Sequence, residues 1–453
     1  MKKFFVILSA ACFVSSLASA QLRATDQTGL NVFETPKTDT PFTGPSVNLG
    51  GSIAMPYIAL THSNAVTEQD PSKNSQALFK NAANFALSQA NLNINSYLSD
   101  GVTLQVTLYL ASKHHNETWV KGGYVQFDKI PFLHLDLLDE VMKYTSIKVG
   151  QMDVNYGDAH FRRSDGGNAI YNPFMENYIM DEFATEIGAE ADFNYKGIVA
   201  VASVTNGNLN PSLAFIDTTK AANKYANGLH NPSWIGKLGY DKQITNNFRA
   251  RLTGSIYYTA GAGSNTLFGG DRTGSNYSAV MYNAAPGTGT AFNGRFNPGL
   301  SDRVSTVMGN LFLQYKPLDF LSIESFTTWE KAKGGKASEE FDRNATQTAS
   351  DLIFRLGKKQ NFYIGSRYNT VSADVMKSNA VAPVAPQTIG QDMVPAYKIG
   401  IDRVAIAAGW FVTKNMLAKI EYSSQTYSNV PNVNYILNGA EFHGISAEAV
   451  ISF

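Results

Sequence analysis

Apolar and polar residues alternate with a period of two along most of the chain. In Val102–His114, Val102, Leu104, Val106, Leu108 and Leu110 share one face, and Thr103, Gln105, Thr107 and Tyr109 share the other. In Asn247–Ala260, Ala250, Leu252, Gly254 and Ile256 oppose Arg249, Arg251, Thr253 and Ser255. Met416, Ala418, Ile420 and Tyr422 oppose Lys419, Glu421 and Ser423 in the same way. A two-residue period with charge on one face predicts strands that are dry on one side and wet on the other.

Sixteen such windows are predicted. They are Asn48–Leu60, Asn84–Ser99, Val102–His114, Trp119–Ile130, Thr145–Val154, Phe183–Tyr195, Ile198–Thr205 and Ser233–Asp241, followed by Asn247–Ala260, Arg303–Lys316, Phe320–Lys331, Ser350–Gly357, Asn361–Ala373, Lys398–Val412, Met416–Tyr427 and Glu441–Phe453. Short connections rich in Gly, Pro, Asn and Asp follow even-numbered windows, as at Ser99–Gly101, Lys196–Gly197 and Lys316–Asp319. Long connections include Thr61–Ala83, Asn155–Glu182, Asn206–Pro232, Gly261–Asp302, Ala332–Ala349 and Asp374–Tyr397. One short-rim connection, Pro131–Tyr144, has helical spacing and predicts an amphipathic helical connector.

No stretch beyond the N-terminus reaches the roughly 18 apolar residues of a spanning helix. If such strands cross a membrane, they must close into a barrel, because only closure satisfies every strand hydrogen bond in lipid. The fold class expected is therefore all-β: a transmembrane antiparallel β-barrel of about 16 strands, with short periplasmic turns and long extracellular loops. Aromatic residues near the window ends are expected to form interfacial girdles: Tyr57, Trp119, Tyr195, Trp234, Tyr257 with Tyr258, Tyr315, Trp329, Trp410 and Tyr427.

Composition agrees with that layout. Charged residues make up 16 % and aromatics 12 %, and mean hydropathy is slightly negative, which excludes a helical membrane protein. Lys2 and Lys3, an apolar run, and Ala18–Ala20 before Gln21 predict a secretory signal peptide over residues 1–20. Lipidation at Cys12 would cut through the apolar core of that leader, which argues against a lipoprotein. An extended segment over 21–44 and the barrel over 45–453 complete the expected organisation.

Cys12 is the only cysteine, so the rest of the chain can build neither a disulfide framework nor a thiolate metal site. Without Lys2 and Lys3, 37 − 2 = 35 basic side chains face 37 acidic ones, a net charge of −2 that offers no footprint for nucleic acid. No cofactor is expected, and His114–His115 lacks the further ligands a metal site requires. The seven histidines fall into no nucleophile–His–carboxylate pattern, so a barrel enzyme is not expected.

Three segments carry a family resemblance. They are "IKVGQMDVNYGDAHFRR" (Ile147–Arg163), "RVAIAAGWFVTKNMLAKIEYSS" (Arg403–Ser424) and the closing "GISAEAVISF" (Gly444–Phe453). With them the chain resembles the bacterial outer-membrane porins, most closely the phosphate-selective type. The resemblance implies an outer-membrane homotrimer that passes small hydrophilic solutes or ions passively, with an anion or phosphate preference as its narrower form. It also implies a long loop folded into the lumen, here near 155–182. That loop supplies the constriction residues expected: Asp158, His160, Arg162, Arg163 and Asp165. The alternative for Arg162 and Arg163 is pairing with Asp158 and Asp165 to pin the loop.

The pore lining expected from strand parity is Lys148, Glu186, Glu190, Arg249, Arg251, Glu324, Arg355, Arg367, Lys419, Glu421 and Glu448. This mixture departs from the dense basic ladder a phosphate path would want. Outer-membrane lipid and lipopolysaccharide are the expected surroundings, with Lys331–Lys336 a candidate contact for lipopolysaccharide phosphates. Phe453 is expected, by resemblance, to serve as the signal read by the outer-membrane assembly machinery. A barrel whose loops block it and that serves as a structural or binding platform is the alternative function.

Overall fold

The computed structural model describes residues 23–34, 37, 42–70, 73, 76–86, 89–110, 118–130, 132–133, 135–164, 167–208, 231–269, 281, 294–337, 339, 341–376, 395–433 and 435–453. The predicted signal peptide, His114–His115 and Asp165 lie outside the described residues. Along the chain run β1 (Ser46–Ser63), β2 (Asn84–Phe85), β3 (Gln89–Ser99), β4 (Val102–Leu110), β5 (Thr118–Phe127), the helix α1 (Asp136–Met142), β6 (Thr145–Asp153), β7 (Thr185–Tyr195), β8 (Ile198–Thr205) and β9 (Ser233–Thr245). Then follow β10 (Phe248–Thr259), β11 (Arg303–Leu318), β12 (Leu321–Gly335), β13 (Arg343–Leu356), β14 (Phe362–Met376), β15 (Pro395–Thr413), β16 (Met416–Ser428) and β17 (Glu441–Ser452).

Sixteen long strands make one closed antiparallel ring, and the two-residue β2 pairs only on β1. Closure is made by β1, whose first half pairs with β3 (Ser46↔Tyr97) and whose second half pairs with β17 (Ser63↔Glu441). The end of β17 is thus locked: Phe453 N–H donates to Gly51 O at 3.0 Å, and Gly51 N–H returns to Phe453 O at 2.9 Å. Every long strand has a partner strand on each side, and closing a sheet into a ring is how one in lipid avoids a free edge.

Strand parity sorts side chains as the alternation predicts. On β17, Ile445 and Ile451 face out, as does Phe453 just after it, while Ser446, Glu448 and Ser452 are buried inside. The outward belt includes Leu252, Ile256, Ile364, Ile406 and Ile420, flanked by Trp234, Tyr258, Tyr315, Trp329 and Trp410. Tyr257 and Tyr427 correct the girdle expectation: both are buried on the lumen side. Their neighbours hold the outward parity, and the inward hydroxyls are satisfied by Glu186 (2.7 Å from Tyr257) and Gln425 (2.6 Å from Tyr427).

One rim carries tight turns. Between β7 and β8, Lys196 (φ 51°) and Gly197 (φ 93°) are both left-handed, the two-residue hairpin geometry that matches strand twist. At the same rim α1 connects β5 to β6, shorter than the predicted connector but in its place. The predicted long loop Ala332–Ala349 is replaced by strand: β12 reaches Gly335 and β13 begins at Arg343, with Lys333↔Asn344 and Ala332↔Ala345 paired. Residues 343–349, Arg-Asn-Ala-Thr-Gln-Thr-Ala, are polar on both faces, so pairing continues past the point where hydropathy loses its period.

The core lies inside the barrel. Tyr156, Ile179, Met180, Leu267, Phe268 and Met281 from the long loops pack with Val304, Ile399 and Phe442 of the wall.

Candidate functional site

The lumen holds the β6–β7 loop, parts of the β10–β11 loop, the N-terminal segment and a cavity between the first of these, the segment and the wall. The loop between β6 and β7, residues 154–184, folds inward and lies against the wall formed by β10 to β17. Side chains of that wall grip its backbone. Glu421 Oε2 accepts from Met175 N–H at 2.7 Å, Asn369 Oδ1 from Ile179 N–H at 2.7 Å, and Gln347 Oε1 from Met180 N–H at 2.8 Å. Arg367 Nη1 donates to Glu176 O and Arg403 Nη1 to Asn177 O, each at 2.7 Å. Lys419 Nζ reaches Ala169 O and Phe174 O at 3.0 Å and pairs with Glu448 at 2.8 Å. Buried polar groups of this kind are tolerated only because they are partnered.

Asp158 is the main side-chain anchor of the loop. Its carboxylate accepts from Arg251 Nε and Nη2, both at 2.8 Å, from Thr253 Oγ1 at 2.7 Å and from Lys237 Nζ at 3.1 Å. Arg163 pairs with Asp181 at 3.0 Å and lies over the Phe183 ring. Arg162 donates to Asn31 Oδ1 at 2.9 Å and stacks over Phe326. Both arginines are 4 % exposed or less and sit behind the surface that faces the cavity. His160 lines that cavity, so the loop residues divide into one that faces the cavity and three, Asp158, Arg162 and Arg163, that hold the loop.

The N-terminal segment crosses the short-turn mouth. After a 3-10 turn over Gln27–Gly29, Gln27 Nε2 donates to Lys359 O at 2.9 Å, and Asp26 pairs with Lys414 at 3.1 Å, tying one end to the turns of β13–β16. Asn31 donates to Glu324 at 2.8 Å, and Glu34 pairs with Arg251 at 2.7 Å and Lys237 at 3.1 Å in mid-lumen. Lys37 Nζ reaches the far side, donating to Asp128 O at 2.7 Å, Thr145 O at 2.6 Å and Met142 O. Phe33 packs edge-on to Phe161 and Phe312, joining the strap to the loop. The strap has no apolar period, so no sequence signal marked it as a lumen element.

A cavity of about 310 Å³ remains along the opposite wall, β3 to β7. From β3 and β4 it is lined by Asn93, Asn95, Gln105 and Thr107. From β5 to β7 come Lys121, Tyr124, Lys148, Glu190, Asp192 and Asn194. The loop and strap close its other side with Arg23, Glu34, Lys37, His160 and Asn168. Its basic members are Arg23, Lys37, Lys121 and Lys148, and its acidic ones Glu34, Asp153, Glu190 and Asp192, four against four. Lys148 bridges Glu190 at 2.8 Å and Asp192 at 2.6 Å, and Lys121 stands 3.5 Å from Asp153.

The remaining inward residues are engaged elsewhere. Arg355 pairs with Glu324 at 2.8 Å, Arg367 with Asp351 at 2.7 Å and Arg249 with Asp241 at 2.7 Å. Glu186 accepts from Tyr257 and Thr205. Among the described residues no cluster of His, Cys, Asp and Glu suits a metal ion.

A closed ring with an apolar outer belt and a polar, partly filled lumen defines a transmembrane barrel of the outer-membrane type. The chain is an outer-membrane β-barrel. No family model and no curated protein matches it. Among solved structures it is similar to an anion-selective porin from Comamonas acidovorans, at 10 % identity over 90 % of this chain and 100 % of that one, with a TM-score of 0.48. It is also similar to the outer-membrane channel DcaP of Acinetobacter baumannii (11 % identity, 90 % and 98 % covered, TM-score 0.47). Outer-membrane expressed OmpT of Vibrio cholerae stands at 9 % identity, with 91 % and 99 % covered and a TM-score of 0.47. Such scores are too low to carry function across, so function rests on the geometry of this chain.

Proposed function

We infer that the protein is a passive channel for small hydrophilic solutes across the outer membrane. The observation that carries this reading is the extent of the wet cavity. Its lining on β6 runs from Ser146 to Asp153. Seven residue steps at about 3.3 Å make about 23 Å of strand, and at a tilt of about 40° they rise about 18 Å, most of the apolar belt of about 25 Å typical of such barrels. The narrower expectation of an anion or phosphate preference needs basic groups unopposed along the path. Four acidic side chains offset the four basic ones there, which supports a pore of weak charge preference.

Planar-bilayer recording tests the reading. Stable open steps with a reversal potential near zero in a KCl gradient are expected. Absence of any open step would leave the alternative, a loop-occluded platform, which the dense contacts of the 154–184 loop favour. Homotrimeric assembly belongs to the same proposal, and cross-linking in detergent tests it. Lys331 and Lys333 project outward at the loop-side end of β12, where they would meet lipopolysaccharide phosphates. Phe453 is proposed as the mark read by the assembly machinery. Its deletion should lower the yield of folded barrel more than the conductance of the barrels that form.

A further inference from the structure

The solute class follows from how the cavity's polar groups are used, given the channel reading above. We propose that the cavity admits neutral polyhydroxylated solutes of monosaccharide size in preference to anions or cations of the same size. The charged side chains are already engaged. Lys148 is held by Glu190 and Asp192, and Glu34 by Arg251 and Lys237. Lys37 is spent on backbone carbonyls, and Arg23 donates to Gly29 O at 2.8 Å and Phe161 O at 2.7 Å. A phosphate or carboxylate would have to take a cation away from these partners, and a free cation would have to do the same with a carboxylate. Either exchange leaves one member of a largely buried ion pair without its partner.

Of the cavity's eight carboxamides, Gln105, Gln126, Gln151 and Asn155 are engaged and four are not. Asn93, Asn95, Asn168 and Asn194 line the cavity, and their side chains hold no hydrogen-bond partner among the described residues. Each carboxamide offers both donors and an acceptor, and each sugar hydroxyl does the same, so the two pair in either sense without a net charge. Asn93 and Asn95 stand two residues apart on β3 and share its lumen face, about 6.6 Å apart along the strand. They can therefore bond two hydroxyls of one ring. Phe161, backed by the buried Phe33, gives the facing side an apolar surface for the C–H groups of that ring. The cavity's 310 Å³ lies at the small end of the roughly 300–1,000 Å³ typical of small-molecule sites.

The test uses the whole protein in liposomes and planar bilayers, with D-glucose, gluconate and glucosamine as probes of nearly equal size. Glucose influx several-fold faster than that of either charged probe is expected. The double variant Asn93→Leu with Asn95→Leu should lower the ratio of glucose to gluconate influx several-fold. Gluconate or glucosamine entering faster than glucose would overturn the proposal. So would a variant that slows glucose and gluconate in equal measure, because the amides would then act only as bulk. Wild-type protein that passes neither KCl nor any probe would overturn the channel reading as well, and that result is distinct from flux with the wrong preference.

Discussion

The two walls of the barrel carry similar residues and do opposite work with them. The β10–β17 wall presents Arg251, Arg355, Arg367, Arg403, Lys419 and Glu421, all nearly inaccessible and all bonded to the loop, the strap or a wall neighbour. The β3–β7 wall presents Asn93, Asn95, Gln105, Thr107 and Lys148 to a cavity. On one wall inward polarity is mortar for the inserted loop and strap, and on the other it lines a cavity. An inward charge in a barrel is therefore no sign of a conducting surface until its partners are known.

Removing residues 23–34 should have the largest effect. The strap crosses the short-turn mouth and covers one side of the cavity, so its loss should raise conductance by about twofold or more. An unchanged conductance would mean that solutes pass beside the strap in the intact protein. Asp158→Ala comes next. It strips Arg251 and Lys237 of a shared buried partner, a change that costs about 3–5 kcal/mol when nothing replaces it. Glu34 and Asp241 remain near Arg251, so about 3 kcal/mol is expected from thermal unfolding in detergent. Noisier open-channel current should accompany it.

Lys148→Ala sharpens the contrast from the other wall. It frees Glu190 and Asp192 beside the cavity, so the reversal potential should move toward cation preference by about two- to fivefold in permeability ratio. Arg162→Ala with Arg163→Ala should do least to selectivity, because both side chains lie behind the cavity surface. A shift toward cations as large as that of Lys148→Ala would return these arginines to the conducting path.

Much of this was legible in the sequence. The windows from Asn48–Leu60 to Glu441–Phe453 match the sixteen long strands because lipid on one side and water on the other force the period of two. Face assignments followed wherever that period held, as for Arg249, Arg251 and Lys419. The start of β13 was missed because residues 343–349 are polar on both faces. Partners were not legible: Asp158 meets Lys237 and Arg251 at separations of 79 and 93 residues, which spacing alone cannot pair. The strap was illegible for a further reason. Its hold on the lumen comes from Asn31, Phe33, Glu34 and Lys37 acting one at a time, with no periodic face to announce it.

The claim that the path follows β3–β7 is open to direct measurement, since Cys12 in the predicted leader is the only native cysteine. Single cysteines at the cavity (Asn95→Cys and Thr107→Cys) and on the plugged wall (Thr328→Cys and Ser423→Cys) can be exposed to a bulky charged methanethiosulfonate during bilayer recording. A stepwise fall in conductance at the first pair and none at the second is expected. Block at Thr328→Cys or Ser423→Cys, with Asn95→Cys and Thr107→Cys silent, would put the path on the other wall and contradict the account.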